Sequence, residues 1–174
     1  EQLGIADNTA VILMSDNGGL STDEGFPTSN LPLRGGKGWL YEGGIREPFL
    51  ICWPRVTKPG TESDVPIIST DFYPTILDMA GLPLKKEQHL DGVSLVPLLK
   101  GATSIDRDAI YWHYPHYSNQ GGFPGGAIRM GDFKLIERFE DGRIRLYDLQ
   151  NDVGERQDLA AQYPERVEQM RSRL

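Results

Sequence analysis

The chain has 174 residues, a formal net charge of −7 and 39% apolar residues. That is enough for one ordinary core, with the balance of a globular rather than a disordered chain. No apolar run is long enough to cross a bilayer, and the acidic excess argues against nucleic acid or an anionic membrane surface as the main partner. It leaves room for a small anionic substrate, because a few converging cations can dominate a pocket locally. Cys52 is the only cysteine, so no intrachain disulfide can form. Its apolar setting, FLICWP, predicts a buried and inert thiol.

In chain order, EQLGIADNT has the texture of a helix end entering a strand, with Gly4 as the residue after the helix. This start, in mid-architecture, leads to the expectation that the chain is part of a larger protein. Thr9–Ser15 predicts an unbroken apolar strand of the kind covered on both faces in a parallel sheet. It runs into Asp16, Asn17 and two glycines. A long Gly-rich loop follows, then a second apolar strand over Pro48–Trp53. A helix is expected over about 70–80, stopped by Gly81, with Pro74 tolerated in its first turn. SLVPLLK predicts a short helix between Ser94 as N-cap and Gly101.

From Asp108 onward the pattern becomes antiparallel. AIYWHY predicts a strand, PHYSNQGGFPGG a loop, and AIRMGDFKLIERFE one or two strands. Asp141-Gly142 is strong hairpin chemistry before RIRLYDL. In YPERVEQMRSRL, Pro164 suits a first helical position, and Val167, Met170 and Leu174 recur on one face. The expected organisation is therefore an α/β portion over 1–107 and a small antiparallel sheet with a C-terminal helix over 108–174.

Three places could carry chemistry. Asp16 and Asn17 at a strand end are either good turn residues or a pair of oxygen ligands. In LRGGKGWLYEGGIREP, Arg34, Lys37, Glu42 and Arg46 stand among five glycines. They could cradle an oxyanion or simply pair with one another on a surface loop. His113 and His116 flank Pro115 in YWHYPHY, either as incidental imidazoles of an aromatic strand or as a pocket wall. His89 lies in polar KKEQHLDG and suits a solvated loop. There is no phosphate-binding GxxxxGK[ST], no GxSxG and no zinc-type Cys/His spacing.

The ordered set of SDNGG, LRGGKGWLYEGGIREPFLICWP, STDFYPTILDMAG, LDGVSLVPLL and LYDLQNDVGERQDLA resembles the C-terminal part of the type I sulfatases. These are the formylglycine-dependent, arylsulfatase-like enzymes. The resemblance implies α/β architecture, as a partial alkaline-phosphatase-like fold. It implies that Asp16 and Asn17 are ligands of a divalent metal, calcium in most of the family, and that Lys37 contacts the sulfate as a catalytic and substrate-binding residue. A softer transfer makes His113 and His116 substrate-binding residues, with a sulfated small molecule or glycan as partner. Arg34, Glu42 and Arg46 match the motif as loop-shaping residues.

The formylglycine comes from a C/S-x-P-S/A-R motif that this sequence lacks; Cys52-Trp53-Pro54-Arg55 is only an echo of it. The chain alone is therefore expected to be inactive. Its apolar strand is expected to be covered by the N-terminal sulfatase portion or by self-association. A periplasmic or secreted location follows from the family's habits only. Two other readings remain open at this point: a phosphoryl or phosphonate hydrolase of the same superfamily, and a non-catalytic module that binds sulfated glycans.

Overall fold

The computed structural model describes residues 2–22 and 26–174, so Glu1 at the head of the expected helix end lies outside the described residues. The chain divides into two compact units: Glu1–Leu13 with Phe49–Arg107, and Met14–Pro48 with Asp108–Leu174. One boundary between the units falls between Arg107 and Asp108. The Gly-rich segment, however, belongs with the C-terminal sheet rather than with the first half.

β1 (Val11–Met14), which lies in the first unit up to Leu13, and β2 (Phe49–Cys52) form a two-stranded sheet. Both are shorter than the apolar runs that predict them. Val11, Leu13 and Leu50 are 59%, 58% and 61% exposed, so the strand whose composition suits burial on both faces lies open among the described residues. Cys52 is exposed on the same pair of strands, which overturns the expectation of a buried thiol. Gly4 has the expected left-handed backbone (φ 67°). No α-helix precedes it among the described residues; a 3-10 turn, Ala6–Asn8, follows instead.

The helix expected over about 70–80 is a 3-10 turn, Ser69–Asp71, leading into α2 (Phe72–Met79), with Gly81 at φ 68° beyond its end. Fully buried Asp71 organises this unit. Its carboxylate accepts from the backbone N–H of Ile68 (2.9 Å) and of Val93 (3.0 Å), and it is gripped by both guanidinium nitrogens of Arg107. Thr75 Oγ donates to the Asp71 carbonyl and accepts from the N–H of Leu95, the N-cap of α3 (Val96–Leu99). Ser94, the expected N-cap, therefore stands one residue before the observed one. It still accepts from Val96 N–H at 3.2 Å while donating to Asp78.

Asp71→Asn keeps the shape but strands the Arg107 charge, whose side chain is 9% exposed. Breaking a buried pair from one side costs about 3–5 kcal/mol. We expect a thermal midpoint at least several degrees below wild type, measured by calorimetry.

In the second unit, four antiparallel strands run in the order β3 (Ile110–Tyr114), β4 (Gly125–Met130), β5 (Phe133–Arg138) and β6 (Ile144–Asp148). The stretch that predicts one or two strands is two, turned at Gly131-Asp132, and Gly142 (φ 64°) closes the next hairpin as its sequence predicts. Register fixes two faces, because side chains alternate along a strand. Trp112 lies opposite Ala127, which lies opposite Ile136, and Lys134 lies opposite Tyr147. These residues share the first face, where Leu40, Tyr41, Phe123 and Leu149 complete one core cluster. Tyr111, Ile128, Leu135 and Leu146 share the other face, where Met170 of α4 (Pro164–Arg171) completes a second. Val167 and Met170 turn inward on α4, as the period of the sequence predicts. The sheet is thus sandwiched: the Gly-rich segment covers one face and the C-terminal helix the other.

Candidate functional site

All five residues singled out for the site, Asp16, Asn17, Lys37, His113 and His116, lie in the second unit. Asp16 follows directly on the backbone bond from Ser15 N–H to the Pro48 carbonyl (3.3 Å), so Glu47 stands at the neighbouring strand end. Asn17 Nδ2 donates to Asp16 Oδ2 at 2.6 Å. Asp16 is exposed and Asn17 half-buried. The contact leaves the second carboxylate oxygen of Asp16 and the amide oxygen of Asn17 available, the oxygen donors a hard cation selects.

Burial first, and the Asp16 charge second, push the Glu47 carboxyl above its ordinary range. One Glu47 oxygen is buried with no hydrogen-bond partner among the described residues. Negative charge is therefore concentrated here without full compensation, which suits a cation. Among the described residues no group of three His, Cys, Asp or Glu side chains could hold one. Asp16 and Asn17 fit two positions of a shell that for calcium takes about six to eight oxygens.

The Gly-Gly after Asn17 is required by packing rather than by turn geometry alone. A Cβ on Gly18 would lie 1.8 Å from the Gly43 carbonyl oxygen, so only glycine lets the strand end press on the loop. Gly18 N–H donates to the Gly44 carbonyl (3.1 Å), and Lys37 N–H donates to the Gly19 carbonyl (3.2 Å). Asn30 stitches the two segments further. Its amide accepts from Gly19 N–H and donates to the carbonyls of Gly19 (2.8 Å) and Gly35 (3.2 Å). These bonds bring the acid–amide pair and Lys37 together on one backbone assembly.

Lys37 sits half-buried at the apex of the loop. Its ammonium has no ion-pair or hydrogen-bond partner among the described residues. The other charged residues of the loop are engaged. Arg34 donates to the Glu155 carbonyl (2.8 Å) and to the Tyr147 hydroxyl (3.3 Å), and it lies 4.0 Å from the Tyr41 ring centroid. Glu42 pairs with Lys134 at 2.9 Å, and Arg46 reaches Glu42 at 3.8 Å. This is the loop-shaping role that the motif match implies for Arg34, Glu42 and Arg46. Burial pushes the Tyr147 phenol up to about 12, so it remains a neutral donor and acceptor beside Arg34.

The two histidines diverge. Both are exposed, but His113 is on the sheet face opposite Trp112 and Tyr114, with its ring 5.5 Å from that of Phe139. His116 lies beyond the strand, 5.8 Å and edge-on from the Tyr114 ring. The segment after His116 closes over the Lys37 loop. Trp39 Nε1 donates to the Gln120 carbonyl at 3.2 Å, and a Cβ on Gly38 (φ 86°) would lie 2.8 Å from Ser118 Oγ. Beside it, Tyr117, which is 73% exposed, donates to Glu140 at 2.8 Å, and Glu140 also accepts from Arg138. His89 holds the Gly92 carbonyl at 3.1 Å, in the other unit.

An acid–amide strand end, a glycine loop whose lysine has no partner among the described residues and an aromatic loop thus lie in one unit. Residues 36–174 match the family N-sulphoglucosamine sulphohydrolase, C-terminal, and the chain belongs to this sulfatase family. It is 40% identical over 171 residues to a sulfatase of Formosa agariphila, covering 92% of this chain and 30% of that protein. The solved structure of Ps i-CgsB in complex with k-i-k-neocarrahexaose matches with a TM-score of 0.79 at 32% identity, over 94% of this chain and 35% of that one. The structure of BT4656 in complex with its substrate D-glucosamine-2-N,6-O-disulfate matches with a TM-score of 0.79 at 28% identity, over 98% and 34%. The fold is thus part of the alkaline-phosphatase-like sulfatase architecture, and the chain spans about a third of the length of these relatives.

Proposed function

We propose that this chain is the C-terminal portion of a sulfatase that hydrolyses sulfate esters of a carbohydrate. Its tasks are to supply two metal ligands, one sulfate-contacting cation and part of the leaving-group pocket. The observation that carries the reading is Lys37: a half-buried residue whose ammonium has no partner among the described residues, on backbone bonded to Gly19, two residues beyond Asn17. Such a group costs desolvation unless an anion joins it. A fixed point charge next to a cation site suits the oxygens around sulfur, where charge shifts during ester cleavage.

Asp16 and Asn17 would hold the divalent ion, calcium by family habit, which when bound polarises sulfate oxygens as a Lewis acid. The nucleophile, a formylglycine, belongs to the portion outside this sequence. That same portion is proposed to cover the open side chains of β1 and β2. A sulfated glycan is favoured as substrate because two relatives are described with a neocarrahexaose and a glucosamine disulfate. Exposed Tyr117 and the neighbouring His116 offer a ring face and a donor for a sugar.

The test is expression of the complete protein and assay of sulfate release from an aryl sulfate and from sulfated oligosaccharides, against aryl phosphate. Sulfate release that disappears in the isolated chain is expected. Turnover of phosphate alone, or no turnover with an intact C/S-x-P-S/A-R motif, overturns the reading.

The divergence of the histidines gives a graded prediction. His116→Ala should lower kcat/KM on the oligosaccharide about tenfold or more, as loss of a positioned polar contact does. His113→Ala, on the far face of the sheet, should change it less than His116→Ala does. Steady-state kinetics on both variants decide this, and equal losses would show that His113 reaches the pocket around the edge strand.

A further inference from the structure

Lys134, the second residue of β5, is fully buried, and so is Glu155; Glu42 is 2% exposed. Lys134 Nζ lies 2.9 Å from Glu42 Oε1 and 2.9 Å from Glu155 Oε1. A buried ion cluster of this kind is poor value as a stabiliser, because packed apolar side chains of similar volume serve as well or better. What apolar side chains cannot do is bind backbone directionally. The Glu155 side chain does so once, and the backbone carbonyl of the same residue makes a second contact with the Lys37 loop. Its carboxylate accepts from the backbone N–H of Glu42, where the outgoing stem enters α1 (Glu42–Ile45), at 2.6 Å. Its carbonyl accepts from the Arg34 guanidinium, on the incoming stem, at 2.8 Å. The two stems are tied to each other by Gly43 N–H on the Arg34 carbonyl, again 2.8 Å. Glu155 itself is held in a left-handed backbone (φ 51°), uncommon for a side chain of its size.

We propose that Glu155 and Lys134 are positioning residues for Lys37: Glu155 clamps both stems of the loop that carries it, and Lys134 neutralises the clamp. This rests on the sulfatase reading for what Lys37 contacts, and on the geometry alone for the clamp. The groups that face the cluster are Arg34 and Tyr147 on the incoming side, and Arg46 and Arg129 around Glu42. Burial is the main reason the Glu155 carboxyl titrates above its ordinary range, and Lys134 opposes that effect. An uncompensated Glu155 would therefore tend toward its protonated form, which accepts less strongly from Glu42 N–H.

The experiment is a double-mutant cycle in the complete sulfatase, with inorganic sulfate as a competitive inhibitor of aryl sulfate hydrolysis. Alone, Glu155→Gln should raise the inhibition constant about tenfold; in the Lys37→Ala background it should change it less than about twofold, because the group it positions is gone. Hydrogen exchange supplies a readout free of catalysis. Amides of residues 36–44 should lose protection in Glu155→Gln while those of Ile128, Leu135 and Leu146 keep theirs. Should that variant fold poorly, Arg34→Lys keeps the charge, loses the guanidinium Nη1 that donates to both Tyr147 and Glu155, and should give the same pattern.

Equal inhibition-constant ratios in both backgrounds, or unchanged loop protection in an active enzyme, overturn the clamp. Loss of loop protection in a protein that binds no sulfate upholds the clamp and counts against the sulfatase reading instead.

Discussion

Asp16→Ala in the complete sulfatase should abolish most sulfate release, and added calcium should restore it only partly. A bound cation acting as a Lewis acid is worth several kcal/mol of charge stabilisation, or roughly two to four decades in rate. In the proposed ligand role of Asp16, one carboxylate oxygen accepts from Asn17 Nδ2 and the other is left for the ion. Asp16→Asn keeps an oxygen donor but loses the charge, so it should fall between wild type and Asp16→Ala. Asn17→Leu removes the amide oxygen and also frees Asp16 Oδ2. It should lower calcium affinity with the carboxylate still present. Metal content by elemental analysis, calcium titration, and kcat/KM before and after chelation measure these effects. An Asp16→Ala enzyme with unchanged metal content and unchanged kcat/KM would remove Asp16 from the ligand set.

The sequence made the strand end and the glycine loop legible, and physical reasons explain both. A β-branched run stopping at Asp-Asn-Gly-Gly has few local solutions, whereas the packing of Gly18 on Gly43 is a backbone contact that the glycine pattern alone does not specify. Strand and turn chemistry likewise carried the antiparallel sheet, since Gly131 and Gly142 adopt the left-handed backbone their hairpins need. What sequence could not deliver was long-range pairing. Lys134 in FKLIER looks like a solvent-facing strand residue, because a lysine is rarely buried unless paired. Its partners come from positions 42 and 155, each far away in the chain.

Asp71 was hidden for the same reason: its partner Arg107 lies 36 residues on. Cys52 failed differently. Its apolar neighbours do form a strand, but what covers a strand is not written in the strand itself. The divergence of His113 and His116 depends on where β3 ends, and Pro115 between them marks that end without fixing which face each imidazole takes.

Lys37→Ala in the complete enzyme should cost about 10²–10³ in kcat/KM on an aryl sulfate, the scale seen when one preorganised donor to developing negative charge is removed. The reasoning starts from what is left over in the loop. Arg34 is engaged with Glu155 and Tyr147, so it cannot replace the lost charge without leaving those contacts. Lys37→Arg retains the charge but spreads it over a planar fork on a longer stem, a poor substitute for a point charge at a fixed apex. It should recover binding of inorganic sulfate more than it recovers kcat. The same variants should weaken competitive inhibition by inorganic sulfate, and that effect should fall as ionic strength rises because a half-buried cation is still partly screened. Lys37→Ala with kcat/KM within about twofold of wild type would mean that the oxyanion is held by groups outside this chain, since removal of a true contact costs at least a decade.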